Sequence, residues 1–141
     1  MSDNSYIEKL ITEAIEARKS SYCPYSGFAV GAALLSQDGE IIKGCNIENA
    51  SYGATNCAER TAFFKAVSSG ITGFDAIAIV GAPKGDDIDQ YAFPCGICRQ
   101  VMMEFCNPES FVVVVAKSVS DYKMYTLKEL LPEGFGPGNL L

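Results

Sequence analysis

The stretch CAERTAFFKAVSSGITGFDAIAIVGA, residues 57–82, decides the fold. Its first part, residues 57–70, places apolar side chains at helical spacing and ends at Gly70, a residue typical of a helix C-terminus. Its second part, residues 74–82, is an apolar run bounded by glycine and proline, which predicts a buried strand. A helix that leads into a buried strand is typical of an α/β domain.

The segments that follow continue this alternation. An acidic loop is predicted over 83–93, and Pro94 opens a helix over 95–105, because proline is favoured in the first turn. Residues 111–117 form another apolar run and predict a second buried strand. Residues 122–132 predict a short strand and then a short helix, before an irregular tail.

The segments before residue 57 predict a helix and a β-hairpin. Residues 5–19 carry an apolar stripe at helical spacing. Residues 29–36 and 40–46 flank the turn signal Gln37-Asp38-Gly39 and predict a β-hairpin. We therefore expect an α/β domain with a mixed sheet and helices on both faces, and we expect residues 1–141 to form one domain.

Composition narrows the range of partners. Hydrophobic residues make up 48% and charged residues 20%, an ordinary globular balance. The net charge of −6 disfavours phosphate backbones and anionic membranes, and the eleven Lys and Arg residues are scattered. No apolar run approaches the roughly 20 residues of a membrane span, and the first residues are polar and acidic. We expect a cytoplasmic protein with neither a nucleic-acid nor a membrane partner.

Cysteine and histidine usage limits the chemistry. The chain has six cysteines, which in a reducing cytosol are buried thiols or metal ligands rather than a disulfide framework. It has no histidine. A zinc site must then use cysteine or carboxylate ligands, and a general base must be a carboxylate, lysine, tyrosine or cysteine.

Three cysteines carry the signal for a metal. Cys95 and Cys98 share one face at a predicted helix N-terminus, where the helix dipole stabilises thiolates. Alone, this pair also fits a redox dithiol or two buried thiols. Cys57 opens the other predicted helix, and helix N-termini converge beyond the strand ends of an α/β sheet. Three protein ligands and an open position are typical of catalytic zinc.

A fourth cysteine would instead make the zinc site structural. Cys45 lies in an apolar strand and Cys106 at a helix end, so burial is the favoured role for both. Cys23 remains open as a possible fourth ligand.

Two charged residues follow Cys57. Glu59 is the leading candidate base, since a carboxylate beside zinc can take a proton from water at the metal. Three thiolates and one Zn²⁺ leave one negative charge in excess, which Arg60 could offset by donating to a sulfur. The alternatives are a solvated first-turn Glu59, favoured by the helix dipole, and a surface Arg60.

These residues resemble the zinc-dependent cytidine deaminases. Cys57-Ala58-Glu59 followed by Pro94-Cys95-x-x-Cys98 is similar to the deaminase signature. Five ordered blocks carry the resemblance over nearly the whole chain: residues 23–34, 46–53, 56–67, 94–105 and 129–137. It implies a three-layer α/β/α cytidine deaminase-like fold with a five-stranded mixed sheet, one zinc ion per subunit, and a homotetramer with shared active sites. The chain departs from the family pattern in its longer acidic loop 83–93 and at Ala54.

The resemblance also implies how a nucleoside is bound. Phe28 would stack on the base, Asn46 and Glu48 would bind the ribose hydroxyls, and Tyr52 would lie nearby. Backbone groups around Ala58 and Cys57 would read the base edge. Phe135 would enter the site of a neighbouring subunit.

The function that this resemblance implies is zinc-dependent hydrolytic deamination of cytidine and 2′-deoxycytidine to uridine and 2′-deoxyuridine, in pyrimidine salvage. Glu59 would act as base and then as acid. Glu48 and the net charge favour a free nucleoside over a nucleotide. The alternatives are deamination of polynucleotides, deamination of another cytosine compound such as a nucleoside antibiotic, a structural zinc module and a thiol redox protein.

Overall fold

The sheet is central, and two helical crossovers set its strand order. The computed structural model describes residues 5–141, in which five strands are arranged in the order β2-β1-β3-β4-β5. The strands are Phe28–Ser36 (β1), Ile41–Cys45 (β2), Phe74–Pro83 (β3), Val112–Ser118 (β4) and Asp121–Thr126 (β5). Only β3 and β4 are parallel, while the other three pairs are antiparallel, so the sheet is mixed as predicted.

The helices cover both faces of this sheet. They are Ser5–Arg18 (α1), Ala58–Ser68 (α2), Gly96–Phe105 (α3) and Leu127–Leu130 (α4). Single 3₁₀ turns lie at Tyr52–Ala54, between β2 and α2, and at Pro137–Asn139, in the tail predicted to be irregular. The predicted elements are therefore confirmed, with bounds shifted by one or two residues.

Alternate residues of the central strands pack into two separate cores. Ile77 and Ile79 of β3 face the core formed with α2 and α3, whereas Ala78 and Val80 face the core under α1. Because successive side chains of a strand point to opposite faces, this alternation follows directly from the strand geometry. The three-layer α/β/α arrangement is confirmed.

Two glycines bring helices close to the sheet. A Cβ at Gly31 of β1 would overlap the backbone of α1 at Ala14. A Cβ at Gly44 of β2 would lie 2.6 Å from the backbone nitrogen of Ala62 and closer still to the carbonyl oxygen of Ala58. Gly44 thus lets the first turns of α2, and with them Cys57 and Glu59, lie directly on β2.

Candidate metal centre

Two helix N-termini bring three thiols together. Cys57 is the N-cap residue of α2, Cys95 is the N-cap residue of α3, and Cys98 lies in the first turns of α3. The Sγ atoms of Cys57 and Cys95 are 3.8 Å apart, and those of Cys95 and Cys98 are 3.6 Å apart. All three sulfurs lie within 4.8 Å of one another.

This spacing fits a zinc ion. Sulfurs at the corners of a tetrahedron around Zn²⁺, each about 2.3 Å from the metal, lie about 3.8 Å apart. Among residues 5–141, the cluster of potential ligands contains none of Cys23, Cys45 and Cys106. Three thiols without a fourth protein ligand are the pattern of a catalytic rather than a structural zinc site.

The remaining cysteines have surroundings that keep them out of this chemistry. Cys23 and Cys106 are buried, and Cys45 is half-buried. Burial raises the pKa of Cys106 to about 12 and also raises that of Cys45. Neither of these two sulfurs lies in the cluster of Cys57, Cys95 and Cys98, so their position rather than their acidity separates them from the centre.

The cluster is arranged to hold negative charge. The pKa of Cys57 falls to about 5, first because of its hydrogen bond with Cys98 and, against the opposing effect of burial, also because of Arg60. The same hydrogen bond, together with burial, raises the pKa of Cys98. Arg60 Nη2 donates to Cys57 Sγ at 3.3 Å, so this arginine faces the cluster rather than the surface. Arg60 thus places a cationic donor against one sulfur of the cluster.

Glu59 lies under the cluster in the first turn of α2. Its side chain is only 4% exposed, and burial raises its pKa to about 7, with a further rise from the charge of Cys57. A carboxyl group with a pKa near neutrality can both accept and return a proton. The burial also excludes the solvated first-turn glutamate that the sequence left open.

Asn46 and Phe28 are joined at the start of β1. The Asn46 amide accepts from the Val30 backbone at 2.9 Å and from the Ser21 hydroxyl, and it donates to the Phe28 carbonyl at 2.8 Å. The Phe28 ring is 40% exposed and packs over Gly81, where a Cβ would lie 2.9 Å from the ring. Asn46 therefore holds the strand that presents Phe28.

Glu48 and Tyr52 share a cavity of about 320 Å³, whose lining also includes Tyr25 and Ser26. The Glu48 carboxylate accepts from the backbone of Tyr25 at 2.9 Å and of Ser26 at 3.1 Å, and from the Ser26 hydroxyl. The hydrogen bond from the Ser26 hydroxyl is the main reason why the pKa of the Glu48 carboxyl is lowered. The cavity thus has one fixed carboxylate and an aromatic wall, a combination suited to a sugar.

Ala58 is fully buried beside Cys57, whereas Phe135 lies apart in the C-terminal segment. The ring of Phe135 is 57% exposed, and its carbonyl accepts from Gln100 of α3 at 2.8 Å. The structure therefore brings together the three cysteines, Glu59 and Arg60, and leaves Phe135 on an outer surface.

Sequence reasoning missed the residues whose hydrogen bonds hold the site residues in position. The Ser21 hydroxyl donates to Asn46, and the Ser26 hydroxyl donates to Glu48. Arg99 donates to the carbonyl oxygens of Pro94 and Leu130, which joins the residue before Cys95 to α4. No spacing rule marks such residues, because their partners are backbone or side-chain groups that meet only after folding.

Comparisons with known proteins agree on one family. Residues 4–115 match the model of the cytidine and deoxycytidylate deaminase zinc-binding region. A cytidine deaminase of Sporosarcina psychrophila is 51% identical over 134 residues, which cover 95% of this chain and 94% of the relative. One of Halalkalibacterium halodurans is 52% identical over 128 residues, or 91% and 92% of the two chains. The crystal structure of cytidine deaminase from Burkholderia pseudomallei superposes with a TM-score of 0.81 at 44% identity, covering 96% of this chain and all of that one.

Proposed function

Because the chain belongs to the cytidine and deoxycytidylate deaminase family, we propose that Cys57, Cys95 and Cys98 hold its zinc ion and that Glu59 moves the protons of the reaction. The protein is an enzyme with a zinc cofactor, and it deaminates cytidine hydrolytically in pyrimidine salvage. The observation that carries the assignment of residues is the tetrahedral spacing of three sulfurs beside one buried carboxylate.

The chain's own residues account for the proton transfers. Zinc, when bound, supplies the activation that makes water a nucleophile at neutral pH. Glu59 accepts a proton from the attacking water and delivers it to ring N3, while the new C4–O bond forms. It then carries a second proton from the added oxygen to the amino group, so that the C4–N bond breaks and ammonia leaves. Arg60 holds the Cys57 thiolate in place throughout.

Phe28 of β1 and the loop residues Glu48 and Tyr52 favour a free nucleoside. Phe28, held by Asn46, offers an aromatic face for the base, and backbone groups of Cys57 and Ala58 lie at the helix N-terminus that would read the base edge. Glu48, fixed by Ser26, would accept from ribose hydroxyls, with Tyr52 beside it. A fixed carboxylate repels a phosphate, so both cytidine and 2′-deoxycytidine fit better than their nucleotides.

Assembly and compartment are part of the same proposal. Tyr25, Tyr52 and Phe135 are each more than half exposed, and a homotetramer would cover such aromatic surface while placing Phe135 in a neighbour's site. The unpaired thiols of the centre suit the reducing cytoplasm. The net charge of −6 disfavours a nucleic-acid partner. In residues 5–141, no helix has the length and apolar character to cross a bilayer.

A substrate panel with and without metal tests the function. Zinc-loaded protein should convert cytidine and 2′-deoxycytidine, and stripping the metal with a chelator should abolish both reactions until zinc is restored. Cytidine monophosphate and single-stranded oligonucleotides should be poor substrates. If the zinc-loaded protein formed no uridine, the function would be wrong, and faster turnover of the nucleotide would overturn the role of Glu48.

A further inference from the structure

Cys95 is the least supported of the three thiols. Cys98 is 1% exposed within the core, and Cys57 receives a hydrogen bond from Arg60, whereas Cys95 is exposed. The approach to Cys95, residues 87–94, forms no backbone–backbone hydrogen bond within the described part of the chain. The position of the Cys95 sulfur therefore depends on the side chains that fix residues 87–94.

Arg99 holds the last residue of that approach. Its Nε donates to the carbonyl oxygen of Pro94 at 2.8 Å, and its Nη1 donates to the carbonyl oxygen of Leu130 at 2.6 Å. Proline has no N–H, so the carbonyl is the only backbone group of Pro94 that can be held. The planar guanidinium can make both bonds at once with little further loss of freedom.

The far end of this connection is rigid. Leu130 ends α4, whose N-terminus is closed by a capping box between Thr126 and Glu129. Leu127 of α4 is fully buried, and its backbone nitrogen donates to the Phe111 carbonyl at 3.0 Å. Through Arg99, the residue before Cys95 is therefore tied to a fixed point of the core.

We propose that Arg99 is a positioning residue for the metal centre, which holds Cys95 at tetrahedral distance from the other two sulfurs by fixing the Pro94 carbonyl to α4. This inference rests on the proposed ligand role of Cys95. It differs from the role of Arg60, which touches a sulfur directly, since Arg99 acts only through the backbone. Loss of such an outer contact costs about 10- to 100-fold in metal affinity in other zinc proteins.

A purely structural role for Arg99 makes a different prediction, and Arg18 provides the matched control. Arg18 also spreads its guanidinium over backbone carbonyls, those of Ala29 at 3.0 Å, Ala82 at 3.0 Å and Pro83 at 2.7 Å. A fourth bond, from Nη2 to the carbonyl oxygen of Asp86 at 3.3 Å, reaches the loop after β3. The four contacts join α1 to β1, β3 and that loop, and they involve none of the three cysteines. Removing either arginine should lower the melting temperature, but only removal of Arg99 should loosen the metal.

The experiment measures metal affinity without substrate. Zinc dissociation constants are determined for the whole protein by competition with a chelator of known affinity, for wild type, Arg99→Ala, Arg99→Lys and Arg18→Ala. We expect a 10- to 100-fold weaker affinity for Arg99→Ala and a smaller loss for Arg99→Lys, whose single ammonium cannot span both carbonyls. Arg18→Ala should match wild type. Co²⁺-loaded Arg99→Ala should show altered thiolate-to-cobalt absorption.

Wild-type affinity in both Arg99 variants would overturn the proposal, and so would an equal loss in Arg18→Ala. If Arg99→Ala fails to fold, Arg99→Lys decides the matter by the same comparison. Because the probe is the metal alone, the result is separate from the proposed function. An inactive but zinc-binding wild type would refute the deaminase activity and leave the role of Arg99 intact.

Discussion

At the scale of single residues, the centre consists of three clustered thiols, the buried carboxyl group of Glu59 and the guanidinium of Arg60. The chain has no histidine, and the structure brings thiols and a carboxyl group together instead. The burial of Glu59 and the direction of Arg60 could not be predicted, because both depend on how α2 meets the neighbouring elements. The burial of Glu59 matters for its acidity, since an exposed carboxyl group at this position would not have its pKa raised to about 7.

Substitution of the cysteines should divide them into two groups. Cys95→Ser should lose the zinc and the deaminase activity together, because it removes one of three thiolates. Cys45→Ser is the control, since Cys45 lies outside the cluster, and it should keep one zinc per chain. Zinc content is measured by elemental analysis of the purified variants. Loss of zinc from Cys45→Ser would mean that a fourth cysteine takes part.

Burial of Glu59 should make the metal-free protein less stable as the pH rises. Its pKa is about 7 in the folded chain against 4.5 ordinarily, so the folded state binds the proton more tightly. Below pH 4.5 the group is protonated in both states and costs nothing. The cost grows as pH rises and is complete above about 7, where it reaches about 3 kcal/mol.

Comparison of metal-free wild type with Glu59→Gln isolates this effect. The glutamine variant does not titrate at this position, so its free energy of unfolding should exceed that of wild type by an amount that increases between pH 5 and pH 8. Denaturant titrations at several pH values measure the difference. A difference that stayed constant with pH would contradict the raised pKa.

At the scale of elements, local sequence patterns predicted each α-helix and strand of residues 5–141 but not their ends. The helix expected over 57–70 begins at Ala58, because Cys57 keeps an extended backbone as the N-cap residue. β1 begins at Phe28, one residue earlier than predicted, since its pairing with β3 extends to Pro83. The strand end is determined by pairing with a distant strand and the helix start by the backbone of Cys57, and the apolar pattern of the sequence contains neither.

The contact of α2 with β2 should tolerate no side chain at Gly44. Gly44→Ala would press a Cβ into the backbone at Ala58 and Ala62, and overpacking of this kind costs about 1–3 kcal/mol. It should also lower zinc affinity, since Cys57 moves with the helix. Gly53→Ala is the control, because no atom lies within 4 Å of its Cβ position. Thermal unfolding of both variants measures the effect, and equal stability would contradict the packing described.

At the scale of the whole molecule, the fold class followed from the alternation of elements, whereas the strand order did not. The order β2-β1-β3-β4-β5 requires α2 to carry the chain past β1 and α3 to connect two parallel strands. No local signal distinguishes this order from other arrangements. The family resemblance supplied what local patterns could not, namely the nucleoside substrate. The tetramer rests on that resemblance and on exposed aromatic surface.

The proposed homotetramer should be detectable in solution by its mass. Light scattering should give four times the chain mass of 15.1 kDa. Phe135→Ala should raise KM for cytidine without removing zinc, because the ring would contact substrate from a neighbouring subunit and lies outside the metal cluster. A monomer with full activity would contradict both the assembly and the shared site.

The most direct test of the central claim measures zinc and uridine on the same samples of wild type and Glu59→Gln. The proposed division of roles predicts one zinc per chain in both proteins, because Glu59 is not a ligand. It predicts rapid formation of uridine from cytidine by wild type and almost none by Glu59→Gln, because only the carboxylate can carry the protons. Turnover of Glu59→Gln at the wild-type rate would contradict that account.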